Sequence, residues 1–240
     1  MTAANPDVTV VMPAFNESAM LASSVGDVVK GLRERNRDFE LIVVENGSTD
    51  DTLAVARDLV DQYAEVRLEH RVTADYGQAL RTGLLAARGT VVANFDTDYY
   101  DLDFLEDALA LVVATDGPAI VVGSKTAKGS NDERPWPRRA VTGVFTMILR
   151  LLFGLHVSDT HGMKVMRREV VEPYARAAKF GRDLFDTELV LRVERAGLRT
   201  AEIPVDVHER RPARTSIIRR VPRTLVGLVR LAFVMRVRDR

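Results

Sequence analysis

Two aspartates spaced two residues apart, Asp96 and Asp98, close the apolar run TVVANFDTD that begins at Thr90. A buried strand would carry Val91 to Phe95 into a sheet. It would present both carboxylates on one face at its C-terminal end, because strand side chains alternate with period two. Open α/β sheets bind ligands along that edge. Paired carboxylates can hold a hard divalent cation such as Mg2+ or Mn2+, and the cation can hold a diphosphate. An acidic turn is also an ordinary way to leave a sheet, so the pair alone does not make a site.

Two more apolar runs end in the same way. Val8 to Met12 reads as a strand that leads into MPAFNES, where Pro13 and Ala14 form a stiff turn and Asn16 and Glu17 supply an amide and a carboxylate. Phe39 to Glu45 reads as a second strand, ending in Glu45 and Asn46 before a Gly47-Ser48 turn. No glycine-rich dinucleotide fingerprint and no P-loop follows the first strand. The lack of such a loop also argues against an enzyme that makes the nucleotide-activated donor. Three parallel strands ending in polar, acidic groups at one edge describe a ligand site better than three unrelated turns.

The elements that must hold these ends alternate. Strand-like runs at Val66 to His70 and Ala119 to Gly123 join those above. Helical patterns lie between the runs, near Ala19 to Arg35, Asp50 to Tyr63, Tyr76 to Ala87 and Leu102 to Ala114. Asp50 and Asp51 are placed to cap the second helix. Two later strands, Gly162 to Met166 and Ala201 to Val207, sit among helices near Arg138 to Phe153, Glu169 to Ala178 and Leu184 to Ala196. The pattern predicts an α/β fold with a mostly parallel sheet. Lys128 to Pro137 reads as a mobile loop. The stretch Val141 to Phe153 is apolar on nearly every face, which suits a lipid-facing helix or a contact between copies as well as a core.

Composition sets the outer limits. At 240 residues and 46% hydrophobic the chain can bury a full core, which excludes a disordered chain. The absence of cysteine excludes disulfides, thiolate metal sites and cysteine nucleophiles,, and fits the cytoplasm. The first ten residues do not read as a signal peptide. Net charge is zero, yet His208 to Arg240 holds ten arginines against Glu209 and Asp239. A local basic end on a neutral chain points to phosphate or a membrane surface rather than to nucleic acid. No apolar stretch approaches the roughly 20 residues that span a bilayer. Residues 209–240 therefore read as a basic amphipathic segment that either lies in a membrane interface or packs on the domain formed by residues 1–208.

Taken in order, PAFNES, VVENGSTDDT, DYGQALRTGLLAARG, the DTD, GSKTAKGS, SDTHGMKVMRR and AEIPVDVHERR resemble the family 2 glycosyltransferases of the GT-A fold over nearly the whole chain. The branch they resemble is the polyprenyl-phosphate sugar synthases, which includes dolichol-phosphate mannose synthase. The resemblance implies that Pro13, Ala14, Asn16, Glu17, Glu45, Asn46, Gly47 and Gln78 hold the donor. It implies that Asp96, Thr97 and Asp98 bind the donor diphosphate, with Asp96 and Asp98 on Mg2+ or Mn2+. It further implies inversion by a single displacement. The sequence departs from the family at Glu45-Asn46, where Asp-Asp is usual, which leaves uridine and guanosine donors both open. It departs again at Tyr100, where a glutamine is common. A third metal ligand would then come from Asp101 or water.

The acceptor side carries Arg134, Arg138 and Arg139 around Trp136, and Arg211 and Ser216 after the last strand. Arginine recognises phosphate through two parallel hydrogen bonds, so these residues suit a polyprenyl phosphate. An ionised phosphate is already nucleophilic. A hydroxyl acceptor would need a general base, and Asp159 holds the motif position for one. His161, His70 and His208 read as structural. The expectation is an inverting, metal-dependent hexosyltransferase at the inner membrane face, with a membrane-protein partner or self-association as further contacts. Transfer to a soluble or polysaccharide hydroxyl, or a non-catalytic nucleotide-binding subunit, are the alternatives.

Overall fold

The computed structural model describes residues 5–125, 127, 136–206 and 226–235, with side chains omitted at 136–138 and 183. Among them lie strands β1 (Val8–Ala14), β2 (Phe39–Asn46), β3 (Val66–Arg71), β4 (Val91–Asn94), β5 (Ile120–Ser124), β6 (Lys164–Arg167) and β7 (Thr200–Pro204). The helices are α1 (Leu21–Glu34), α2 (Thr52–Gln62), α3 (Tyr76–Ala86), α4 (Leu102–Val112), α5 (Trp136–Phe153), α6 (Arg168–Ala177) and α7 (Phe185–Arg195). A further helix, α8, covers residues 226–235. The alternation expected from the sequence holds, with boundaries shifted by a few residues.

The strands form one sheet in the order β3-β2-β1-β4-β6-β5-β7. The pairs β3·β2, β2·β1, β1·β4 and β5·β7 run parallel. Strand β6 is inserted antiparallel between β4 and β5. The chain winds outward from β1 to β3, then returns to place β4 on the other side of β1. That reversal opens a crevice at the C-terminal ends of β1 and β4.

Period-two alternation splits the core in two. Val10, Leu41, Val43, Ala93 and Val121 face one layer, which α1, α2 and α4 cover. Val11, Ile42, Val44, Val92 and Ile120 face the other, which α3, α6, α7 and α8 cover. Both faces of the central strands are therefore apolar, as a doubly covered sheet requires.

Two local expectations change. Pro13 and Ala14 belong to β1, opposite Val44 and Glu45 of β2, rather than to a turn. Pairing with β4 ends at Val11, opposite Asn94, so Pro13 has a strand on one side only, where its missing N–H is tolerated. At α2, Asp50 rather than Asp51 supplies the cap, accepting the Thr52 N–H at 3.0 Å. Of the expected loop, residues 128–135 lie outside the described residues, and Trp136 and Pro137 already start α5. The division at 208 and 209 also lies outside them, but α8 seats Leu228, Leu231 and Met235 against the α3/α7 layer.

Candidate functional site

Strands β1, β2, β3 and β4 all end at one edge, and their polar ends interlock. Asn16 stands in the left-handed region at φ 55°. Its N–H donates to Ser48 Oγ at 3.0 Å, and its Oδ1 accepts from the Thr49 N–H at 2.8 Å. The N–H of Glu17, which is buried, donates to Thr52 Oγ1 at 2.8 Å. The turn after β1 is thus pinned to the turn after β2. Gly47 sits at φ 70°, and a Cβ there would stand 2.7 Å from the carbonyl oxygen of Val72. Glycine is required at that position on both counts.

Glu45 is buried and fully engaged. One oxygen accepts the Ser48 N–H at 2.6 Å, and the other meets His70 Nδ1 at 2.5 Å. Burial opposes its charge, but the hydrogen bonds from Ser48 and His70 outweigh that and hold its pKa below the usual carboxylate value. His70, read from the sequence as structural, is thereby paired with Glu45. Asn46 accepts the Asp75 N–H through Oδ1 at 3.0 Å. Asp75 in turn caps α3 by accepting the Gln78 N–H at 2.9 Å, and the same oxygen accepts the Arg182 N–H at 2.6 Å. Gln78 enters the site region through its backbone.

The acidic pair lies just past β4. Strand pairing stops at Asn94, one residue short of the expected end. Phe95 is buried and Asp96 bridges to Tyr99 across a tight turn. Thr97 is buried, and its carbonyl accepts the Ser24 hydroxyl at 2.6 Å. Tyr76, the first residue of α3, donates its hydroxyl to Asp96 Oδ1 at 3.1 Å. Burial, followed by the neighbouring Asp98 carboxylate, pushes the pKa of Asp96 up to about 6, while Lys125 and Tyr76 act in the opposite direction. Burial also raises the Tyr76 phenol well above its usual value.

Two clustered carboxylates in a partly desolvated edge are hard oxygen donors with an excess of negative charge. They fit Mg2+ or Mn2+. Asp96 and Asp98 would hold the ion, leaving its other positions to phosphate oxygens and water. Among the described residues no group of three or more His, Cys, Asp or Glu side chains is placed to hold a metal. One carboxylate oxygen of Asp101, the protein group expected as a third ligand, is already engaged. Asp101 Oδ1 caps α4 through the Asp103 and Phe104 N–H groups, and Tyr100 donates its hydroxyl to Asp27 at 2.7 Å.

The acceptor candidates divide. Arg139 is exposed in the first turns of α5. Arg134, Arg211, Ser216 and the side chain of Arg138 lie outside the described residues, as does His208. Asp159 is buried and turned to local use. Its Oδ1 accepts the His161 N–H at 2.8 Å, and its own N–H donates to Glu202 at 3.3 Å. His161 packs its ring on Phe145 at a centroid separation of 5.6 Å.

A different carboxylate acts on Asp96. Asp186, in the first turn of α7, is among the charges that raise Asp96 and Tyr76. It is 1% exposed and paired at 2.5 Å with the equally buried Lys164, which also donates to the Gly162 carbonyl at 2.8 Å. Its second oxygen, Oδ2, is buried without a hydrogen-bond partner. The sequence signal for this residue was FDTEL, an acidic first turn that reads equally well as an ordinary helix start. Lys125 was visible only as part of GSKTAKGS.

A doubly covered, mostly parallel sheet with acidic strand ends at its reversal point defines a GT-A-type α/β domain. The sequence profile of Glycosyl transferase family 2 matches residues 9–174, and the chain belongs to that family. It is 31% identical over 225 residues to glycosyltransferase AglD of Haloferax volcanii, covering 91% of this chain and 36% of that protein. It is 28% identical over 214 residues to dolichyl-phosphate beta-glucosyltransferase ALG5A of Trichomonas vaginalis, covering 84% of this chain and 66% of that one. The chain thus spans between 36% and 66% of the length of these two relatives. In structure it is similar to glucosyl-3-phosphoglycerate synthase from Mycobacterium tuberculosis in complex with Mn2+ and uridine-diphosphate-glucose. That match has a TM-score of 0.70 and 22% identity, and covers 95% of this chain and 79% of the other.

Proposed function

We propose that this protein is an inverting hexosyltransferase that moves a sugar from a UDP- or GDP-sugar to a polyprenyl phosphate at the inner face of the cell membrane. The observation that carries this reading is the half-buried pair Asp96 and Asp98 at the reversal point of the sheet, with Asp96 raised to about 6 by burial and its neighbour. Such a pair is destabilised until a cation arrives. A bound divalent cation would supply charge stabilisation to the departing nucleoside diphosphate. The interlocked turns at Asn16, Ser48 and Thr49 and the Asn46–Asp75 bond would hold the nucleoside end rigid, so that donor and acceptor meet with little further ordering.

The acceptor half rests on chemistry and on a relative. A phosphate monoester is ionised at neutral pH and attacks without a base, and Arg139 with Arg134, Arg138, Arg211 and Ser216 would receive it. The Trichomonas relative, whose name specifies dolichyl phosphate, supports the lipid class. One observation favours a second reading, in which the acceptor is a hydroxyl. Asp186 has a buried oxygen with no partner close to Asp96, and a hydroxyl acceptor would give it a proton to take,.

Incubating the protein with polyprenyl phosphate, Mn2+ and radiolabelled UDP- or GDP-sugars separates the two. Label that enters the organic phase and is released by mild acid supports the lipid phosphate. Label that stays in water-soluble product when glycerol-type or sugar hydroxyls are offered supports the second reading and sinks the first.

A further inference from the structure

The turn that carries Asp96 and Asp98 is gripped from both sides of the sheet. On the α3 side the Tyr76 hydroxyl reaches Asp96 Oδ1 at 3.1 Å. On the α1 side the Ser24 hydroxyl donates to the carbonyl oxygen of Thr97 at 2.6 Å. Ser24 is 2% exposed and Thr97 3%, so this bond is closed to water. Within the turn, the Asp96 N–H donates to the Tyr99 carbonyl at 3.1 Å, and the Tyr99 N–H returns to the Asp96 carbonyl at 3.2 Å. Three residues along α1 from Ser24, and so on the same helical face, Asp27 accepts the Tyr100 hydroxyl at 2.7 Å.

Helix α1 is itself anchored. The Met20 and Leu21 N–H groups donate to the Glu17 carbonyl at 3.0 and 2.9 Å, and the Glu17 N–H is held by Thr52. Ser24 therefore ties the residue between the two aspartates to a fixed helix. Backbone rotation at Thr97 would change how far apart the two carboxylates stand, and the tie restrains it. The same bond occupies the one backbone carbonyl that lies between them in the chain. Both effects bear on the choice of cation. Mg2+ demands near-ideal octahedral geometry and keeps several waters, whereas Ca2+ takes roughly six to eight oxygens, backbone carbonyls among them, in flexible arrangements. Mn2+ shares the octahedral oxygen preference of Mg2+.

We infer that Ser24 is a specificity-determining residue for the cation. By holding the Thr97 carbonyl it withholds a backbone oxygen and keeps the carboxylate pair rigid, which favours a small octahedral ion over Ca2+. This rests on the reading of Asp96 and Asp98 as cation ligands. The test is calorimetric titration of Mn2+, and separately of Ca2+, into the intact protein, Ser24→Ala, Ser24→Cys and Asp98→Ala, with UDP and with GDP present. The intact protein prefers Mn2+ to Ca2+. In Ser24→Ala, Mn2+ affinity falls while Ca2+ affinity holds or rises, and the preference narrows by about ten-fold, the scale of one hydrogen bond. Ser24→Cys keeps nearly the same side-chain volume with a weak donor and narrows the preference in the same direction, so the inference stays testable if the alanine variant does not fold. A merely structural role would weaken both cations alike and leave their ratio where it was. An unchanged ratio in the folded Ser24 variants, or an intact protein that binds Ca2+ as tightly as Mn2+, overturns the inference. Absence of Mn2+ binding by the intact protein, or Mn2+ binding that survives Asp98→Ala, sinks the cation reading and the inference with it.

Discussion

Tyr76 donates its hydroxyl to Asp96 across 3.1 Å, tying the first residue of α3 to the chain leaving β4. The bond steadies the ionised form of Asp96 against the burial that raises it. Tyr76→Phe removes it, so Asp96 holds its proton to higher pH and a cation must compete harder. With a hydrogen bond to a charged group contributing about 1.5–3 kcal/mol, Mn2+ affinity measured by calorimetry falls by roughly ten-fold near pH 6. The loss shrinks at pH 8, where Asp96 is ionised in both proteins. An equal loss at both pH values would refute this linkage.

The same raised pKa makes Asp96 a stability cost. A carboxyl whose folded value lies above its ordinary 3.8 binds more protons in the native state. Stability therefore falls as pH climbs from that value through about 6, and the deficit is complete above it,. Asp96→Asn keeps an acceptor for Tyr76 and removes the charge. In urea unfolding with a chelator present it stabilises the protein by about 1–3 kcal/mol at pH 7.5 and by almost nothing below pH 4.

Lys164 and Asp186 are both 1% exposed and lie 2.5 Å apart. Lys164→Met leaves a buried carboxylate without its cation and costs about 3–5 kcal/mol. Adding Asp186→Leu to that variant recovers most of the loss, since an apolar pair of similar volume is tolerated. Chemical denaturation of the single and double variants reads this directly. A double variant as unstable as the single one contradicts the pairing.

Glu45 lends the protein an acid limb. Its pKa is held below the ordinary 4.5 by Ser48 and His70. Its contribution is complete above that unfolded value and is lost as pH falls below it. Glu45→Ala strips the Ser48 N–H and His70 of their acceptor, costing about 1–3 kcal/mol at pH 7 and loosening the turn that holds Asn16. The variant shows a shallower fall in thermal midpoint below pH 4.5 than the intact protein.

Much of this architecture was visible in the residues because apolar period and strand-ending polar groups are local signals. The runs ending at Glu45 and Asp96 locate their strands within a residue or so. What the sequence could not disclose was pairing across distance. Nothing in KVMR says that β6 runs antiparallel between β4 and β5. Nothing in EHR says that His70 reaches Glu45, and nothing in FDTEL says that Asp186 meets a lysine 22 residues earlier. Pro13 looked like a turn because proline usually ends a strand, and only the early end of β4 explains why it stays in one. By position alone Asp101 reads as a metal ligand, whereas α4 needs a cap and takes it from Asp101 Oδ1.

The central claim, that Asp96 and Asp98 hold a cation and through it a nucleoside diphosphate, is tested most directly by titrating UDP and GDP into the intact protein and Asp98→Ala, with and without Mn2+. One of the two nucleotides binds the intact protein at least ten-fold more tightly with Mn2+ than without, and Asp98→Ala abolishes that dependence while keeping its thermal midpoint. Binding that is indifferent to Mn2+, or that survives unchanged in Asp98→Ala, would contradict the account.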